Sequence, residues 1–155
     1  MMKTLLHCIG VLVTATLVSG AIICACSNDD GKGRVKEFKE SFTDFVEGRD
    51  DTALLKYVPA DVGSLQVTMD SGRTDLVPQS LDDVESIFAD IAEELQGDEA
   101  SVVQSNETES ADSVVLTYTV KIVDGSMERT LPIRAVMARD EASGKWVMVG
   151  LDLYN

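Results

Sequence analysis

Val35, Phe38, Phe42, Phe45 and Val46 recur mostly at steps of three and four, which places them on one apolar stripe of a helix. Lys36, Glu40 and Asp44 fall on the solvated side, and Gly48 supplies a left-handed cap. Asp50 or Asp51 caps a short second helix, Thr52 to Val58, which turns Leu54, Leu55 and Val58 inward and stops at Pro59. The pattern then changes period. Leu65, Val67 and Met69 alternate with Gln66 and Thr68, and Asp70-Ser71-Gly72 turns the chain into a hairpin. Ser80 starts a third helix as its N-cap, with Asp83 completing a short-acid capping box. Its stripe is Leu81, Val84, Ile87, Phe88, Ile91 and Leu95, and Gly97 closes it.

The remaining chain has the period of strands. Ser101 to Thr108 is followed by Val114 to Val123, where Leu116, Tyr118, Val120 and Ile122 share one face and Thr117, Thr119 and Lys121 the other. Asp124-Gly125 turns into Arg129 to Arg139, with Leu131, Ile133, Ala135 and Met137 on one face. Ala142-Ser143-Gly144 turns again into a last strand, Lys145 to Tyr154. Helices followed by a meander predict an α+β class, with N-terminal helices packed on a curved antiparallel sheet.

The N-terminal run has a different character. Lys3 precedes an apolar stretch from Leu5 to Ile23, and no acid occurs before Asp29. Such a run is almost long enough to span a bilayer, but no Lys/Arg cluster follows it as a stop signal. Simple secretion after cleavage is a second reading. Ile23-Cys24-Ala25-Cys26 favours a third, because it resembles the bacterial lipobox: an aliphatic residue, a tolerant position, a small residue and the acylated cysteine. Cys24 fits worse as the lipid carrier, since bulky Ile23 precedes it. The resemblance implies a signal peptide over 1–25, acylation of Cys26, a flexible tether over 26–34 and a single domain over 35–155. It also implies a membrane partner through the lipid anchor. Ser27 is similar to the outer-membrane sorting pattern of Gram-negative bacteria, and Asn28-Asp29-Asp30 to the acidic tract of some surface-exported lipoproteins.

Charge and composition narrow the chemistry. Acidic residues outnumber Lys and Arg by 27 to 13, for a net charge of −14, so a nucleic-acid partner is disfavoured. The three cysteines are Cys8, Cys24 and Cys26, and the one histidine is His7. Beyond Cys26 there is therefore no thiol, disulfide or imidazole, which excludes Ser-His-Asp and Cys-His catalysis and histidine- or cysteine-bound zinc. Asp82, Asp83 and Glu85 suit the positive end of a helix and lack the spacing of a calcium loop, so no metal and no cofactor is expected.

The run Val35-Lys36-Glu37-Phe38, Phe42, Phe45-Val46-Glu47-Gly48-Arg49-Asp50, then Leu54-Leu55-Lys56-Tyr57-Val58 and Gly144-Lys145-Trp146-Val147-Met148-Val149, resembles the nuclear-transport-factor-2-like, or cystatin-like, superfamily. It looks in particular like small bacterial lipoproteins of unknown function in that group. The resemblance implies a cone whose sheet and helices can enclose a pocket. Isomerases, dehydratases, ligand binders and dimerisation modules share it, so it does not choose a function.

An isomerase-like site needs a carboxylate base and a tyrosine donor in an apolar pocket. Tyr57, Tyr118 and Tyr154 are available, and Asp152 shares a strand face with Trp146, Met148 and Gly150. If that face points inward, Asp152 is a buried acid near an aromatic wall. The favoured alternative turns Val147, Val149 and Leu151 inward and leaves Asp152 solvated, with Trp146 as a core anchor. The leading expectation is a lipid-anchored envelope binding or accessory domain whose partner is an envelope protein or a small hydrophobic ligand. An isomerase or hydratase using Asp152 and Tyr118, and a structural homodimer, are the alternatives.

Overall fold

The computed structural model describes residues 29–69 and 74–154. Helix α1 runs Asp29–Val46. It begins inside the segment expected to be a tether. Gly31 in its first turn lies against the Trp146 indole. Val35, Phe38, Phe42, Phe45 and Val46 are all buried, as their spacing predicts. Gly48 has φ of 66°, the left-handed conformation that closes the helix.

Asp50 rather than Asp51 caps the next segment, accepting from the Thr52 amide at 3.0 Å. The expected second α-helix is only a 3-10 turn at Leu55–Tyr57. Leu54 and Tyr57 are fully buried there, while Leu55 and Val58 are half-buried. A second such turn, Val62–Ser64, has Asp61 as its cap. Strand β1, Gln66–Met69, pairs antiparallel with β2, Thr74–Leu76. The hairpin expectation holds; its predicted turn at Asp70-Ser71-Gly72 lies outside the described residues.

Helix α2 is Leu81–Glu94. The Asp83 amide donates to Ser80 Oγ at 3.1 Å, and the Asp83 carboxylate accepts from the Gln79 amide at 2.9 Å, one residue outside the usual capping-box partner. Leu81, one turn ahead of the buried stripe, stays exposed. Gly97 does not cap the helix in a left-handed conformation. Its place is set by closeness to the sheet: a Cβ there would sit 2.5 Å from the Val123 carbonyl oxygen.

Strands β3 (Glu99–Glu109), β4 (Ser113–Asp124), β5 (Met127–Arg139) and β6 (Trp146–Leu153) form the expected meander. The six-stranded order is β2-β1-β6-β5-β4-β3. The expectation of a curved antiparallel cone is corrected here. β1 runs parallel to β6, with Val67 opposite Leu151, so the sheet is mixed. Among the described residues it is also open, with β2 and β3 at its two edges. Alternation along a strand reports its two faces and not its neighbour. β1 is separated from β6 by α2 and four strands, and nothing local records the direction in which they meet.

Two irregularities shift the faces. In β6, Met148 pairs with Met137 and Gly150 with Val136, leaving Val149 as an extra residue. Met148 therefore points inward before the bulge and Leu151 and Leu153 after it, all essentially buried. Neither single-face expectation for this strand holds along its whole length. In β3 the register with β4 slips between Val102 and Gln104, which leaves Val103 exposed. α1, the 55–57 turn and the α2 stripe cover the face carrying Leu116, Tyr118, Val120, Ile133, Met137 and Leu151 in one continuous core. Among the described residues no helix is long and apolar enough to cross a membrane.

Candidate functional site

The contact between α1 and the sheet changes character along its length. At its closed part, the Phe42 and Tyr118 rings stack at 4.0 Å between centroids, and Phe38 meets Tyr57 edge-on at 5.0 Å. The Tyr57 and Ser41 hydroxyls lie 3.2 Å apart and satisfy each other. The Tyr118 hydroxyl is buried and has no hydrogen-bond partner among the described residues. Burial, and then the Glu107 charge, push its phenol well above the ordinary value.

One helical turn back along α1, Lys39 forms an ion pair with Glu107. Strand register orders these levels. Ser105 lies opposite Tyr118, Glu107 opposite Leu116 and Glu109 opposite Val114. Moving from the stacked rings toward the β3–β4 turn thus passes the Lys39–Glu107 pair and opens into a cavity of about 340 Å³. Val35, Val114, Ala111 and Trp146 give it apolar surface. Lys32, Lys36, Lys39 and Arg139 supply four cations, and Glu107, Glu109 and Asp112 three anions. That balance reverses the excess of acids in the whole chain. Trp146, expected as a core anchor, is half-buried and forms a wall of this cavity. It is also the chain's one tryptophan.

Asp152 is elsewhere. It lies on the face of the sheet away from the helices, opposite Arg134, and its carboxylate pairs with Arg134 Nη1 at 2.8 Å. The Tyr154 hydroxyl donates to the same oxygen at 3.4 Å. Thr68, its register partner on β1, is buried and donates to Asp75 at 3.2 Å. The Asp152 side chain retains 14% exposure, so it is neither the solvated acid nor the pocket acid expected. Tyr118 points into the core from the opposite face, so the expected Asp152–Tyr118 pair is not assembled. The strand bulge at Val149 is the reason: it moves Asp152 off the face that Met148 occupies. Cys26, the expected lipidation residue, lies outside the described residues.

Sequence patterning did not single out the charged residues of the cavity. A signal existed: Lys32, Lys36 and Lys39 recur at helical steps beside the Val35–Phe42 stripe. Glu107 and Glu109 fall in register on the inward side of β3, where a charge is unusual.

No family model matches the chain, and no curated protein matches it. Solved structures do. A candidate ketosteroid isomerase from Parabacteroides distasonis is 12% identical, with 84% of this chain and 91% of that one covered and a TM-score of 0.55. An NTF2-like protein of unknown function from Pseudomonas putida is 11% identical, covering 79% and 84%, with a TM-score of 0.59. A cystatin-like protein of unknown function from Nostoc punctiforme is 10% identical, covering 79% and 89%, with a TM-score of 0.55. At such identities the likeness concerns the fold alone: an α+β fold resembling the nuclear-transport-factor-2-like, cystatin-like superfamily.

Proposed function

We propose that this chain is a lipid-anchored cell-envelope domain that holds a small ligand in the cavity between the start of α1 and the β3–β4 turn. The observation that carries the reading is the cavity itself, lined by both apolar and charged side chains, with Trp146 in its wall. Its size lies at the small end of the roughly 300–1,000 Å³ typical of ligand sites. Titration of the full chain with a panel of small amphiphiles, followed by Trp146 emission, tests it. Saturable change with at least one probe is expected, and a flat response across the panel would overturn the binding role. The anchor is tested separately. Cys26→Ser should leave the precursor uncut or release the protein from membranes, whereas unchanged processing and retention would refute lipidation.

A second reading, acid–base chemistry of the isomerase or hydratase kind, draws on the candidate ketosteroid isomerase among the structures that share this fold. It also draws on Tyr118, whose free hydroxyl lies near the Glu107 carboxylate. In that reading Glu107, not Asp152, is the base and Tyr118 the donor. Turnover of a ketosteroid probe that is lost in both Glu107→Gln and Tyr118→Phe would support it; turnover surviving either change would remove it.

A further inference from the structure

We infer that the cavity selects small monoacids, with the carboxylate held by Lys36 and Arg139 and an aromatic or short aliphatic body laid against Trp146. This deepens the binding role proposed above and rests on it. The sign of the charge comes first. Lys39 is already committed to Glu107, which leaves Lys32, Lys36 and Arg139 facing Glu109 and Asp112. Among the described residues no ion pair engages Lys36 or Arg139.

These two cations come from different elements. Lys36 is on α1, one helical turn after Lys32, and Arg139 ends β5 opposite Trp146. Arg139 is oriented by its own Nε, which donates to the Gly144 carbonyl at 3.2 Å. That bond occupies one guanidinium edge and leaves the terminal nitrogens to meet a planar acid group. The wall supplies the apolar side. Trp146 is seated on Gly31, where any side chain would collide with the indole nitrogen at 2.7 Å. A ring fixed in that way offers a flat surface at little ordering cost. One charge and one small apolar body are what the volume and lining accommodate. A second acid group would meet Glu107, which is already paired with Lys39.

The probes are phenylacetate, phenylethanol and phenylethylamine, which share one skeleton and differ in charge. Each is titrated into the full chain in neutral detergent, with Trp146 emission as the readout. Phenylacetate should bind about tenfold more tightly than the alcohol, a difference of about 1.4 kcal/mol, and the amine more weakly still. The double change Lys36→Gln with Arg139→Gln should erase that preference, bringing phenylacetate down to the affinity of phenylethanol for the same variant. Both residues are exposed, so folding is not at risk. Equal affinity for acid and alcohol, tighter binding of the amine, or a preference that survives the double change would overturn the acid selectivity and leave the binding role standing. No response to any of the three would remove both.

Discussion

The two ends of the α1–sheet contact are built from the same helix and the same strands, yet one is sealed and the other open. At the sealed end Phe38, Phe42, Tyr57 and Tyr118 interlock with essentially no exposure. At the open end glycine and lysines replace the aromatics on α1, and the β3–β4 turn carries acids and small residues. Side-chain volume differs between the two: rings fill one end, and a cavity lies at the other. Lys39 and Glu107 mark the boundary. Their long side chains reach across from α1 and β3 and pair there. The packed core and the cavity thus share one seam, separated by about one helical turn.

The largest break in this comparison comes from the sealed end. Phe42→Ala removes a fully buried ring from its stack with Tyr118. Truncations of this kind cost about 3–5 kcal/mol, a large share of the stability of a small domain. Lys36→Ala at the open end should change stability by less than about 0.5 kcal/mol. Urea unfolding of both variants checks the contrast. Similar midpoints would mean that the stack is no better packed than the cavity wall.

Much of the sealed end was legible in the sequence. The Val35–Val46 stripe, the Leu116–Ile122 alternation and the Ser80 cap each depend on residues within one or two turns of each other, and each is in place. The rest depended on distant partners. The parallel pairing of β1 with β6 leaves no periodic trace in either strand. The Val149 bulge changes which residues face inward halfway along β6, so Asp152 could not be assigned from alternation. The helix starts earlier than its composition suggests because Gly31 and Gly33 have low helix propensity, which contact with Trp146 overrides at the first of them. The cavity was hidden for the same reason, since its walls come from elements far apart in sequence.

A smaller effect tests how tightly the sealed end is closed. Tyr118 carries a buried hydroxyl without a partner among the described residues, a cost that Tyr118→Phe removes while keeping the stacked ring. The variant should be more stable by about 1 kcal/mol near neutral pH. The raised phenol sets the pH dependence. In the folded state it holds its proton more tightly than in the unfolded chain, so its contribution is complete below the ordinary phenol value of about 10. Above that value the unfolded chain loses the proton first, and stability declines as pH rises. Tyr118→Phe should flatten this alkaline decline in urea midpoints. A loss of stability at neutral pH would show that the hydroxyl has found a partner, and would extend the open end down to Tyr118.

The smallest effect separates two glycines only two residues apart on α1. A glycine inside a helix costs about 0.5–1 kcal/mol relative to alanine. A Cβ at Gly33 meets nothing within 4 Å, so Gly33→Ala should recover that amount as a rise in urea midpoint. A Cβ at Gly31 would lie 2.7 Å from Trp146 Nε1 and 3.2 Å from Cε2, closer than the ring can tolerate without moving. Gly31→Ala has the same helical gain available, but it must displace the indole that walls the cavity. Its midpoint should rise less than that of Gly33→Ala, and its Trp146 emission should shift where Gly33→Ala leaves emission unchanged. Equal gains with unchanged emission in both would mean that the indole does not rest on Gly31, and the cavity at the open end would lose its fixed wall.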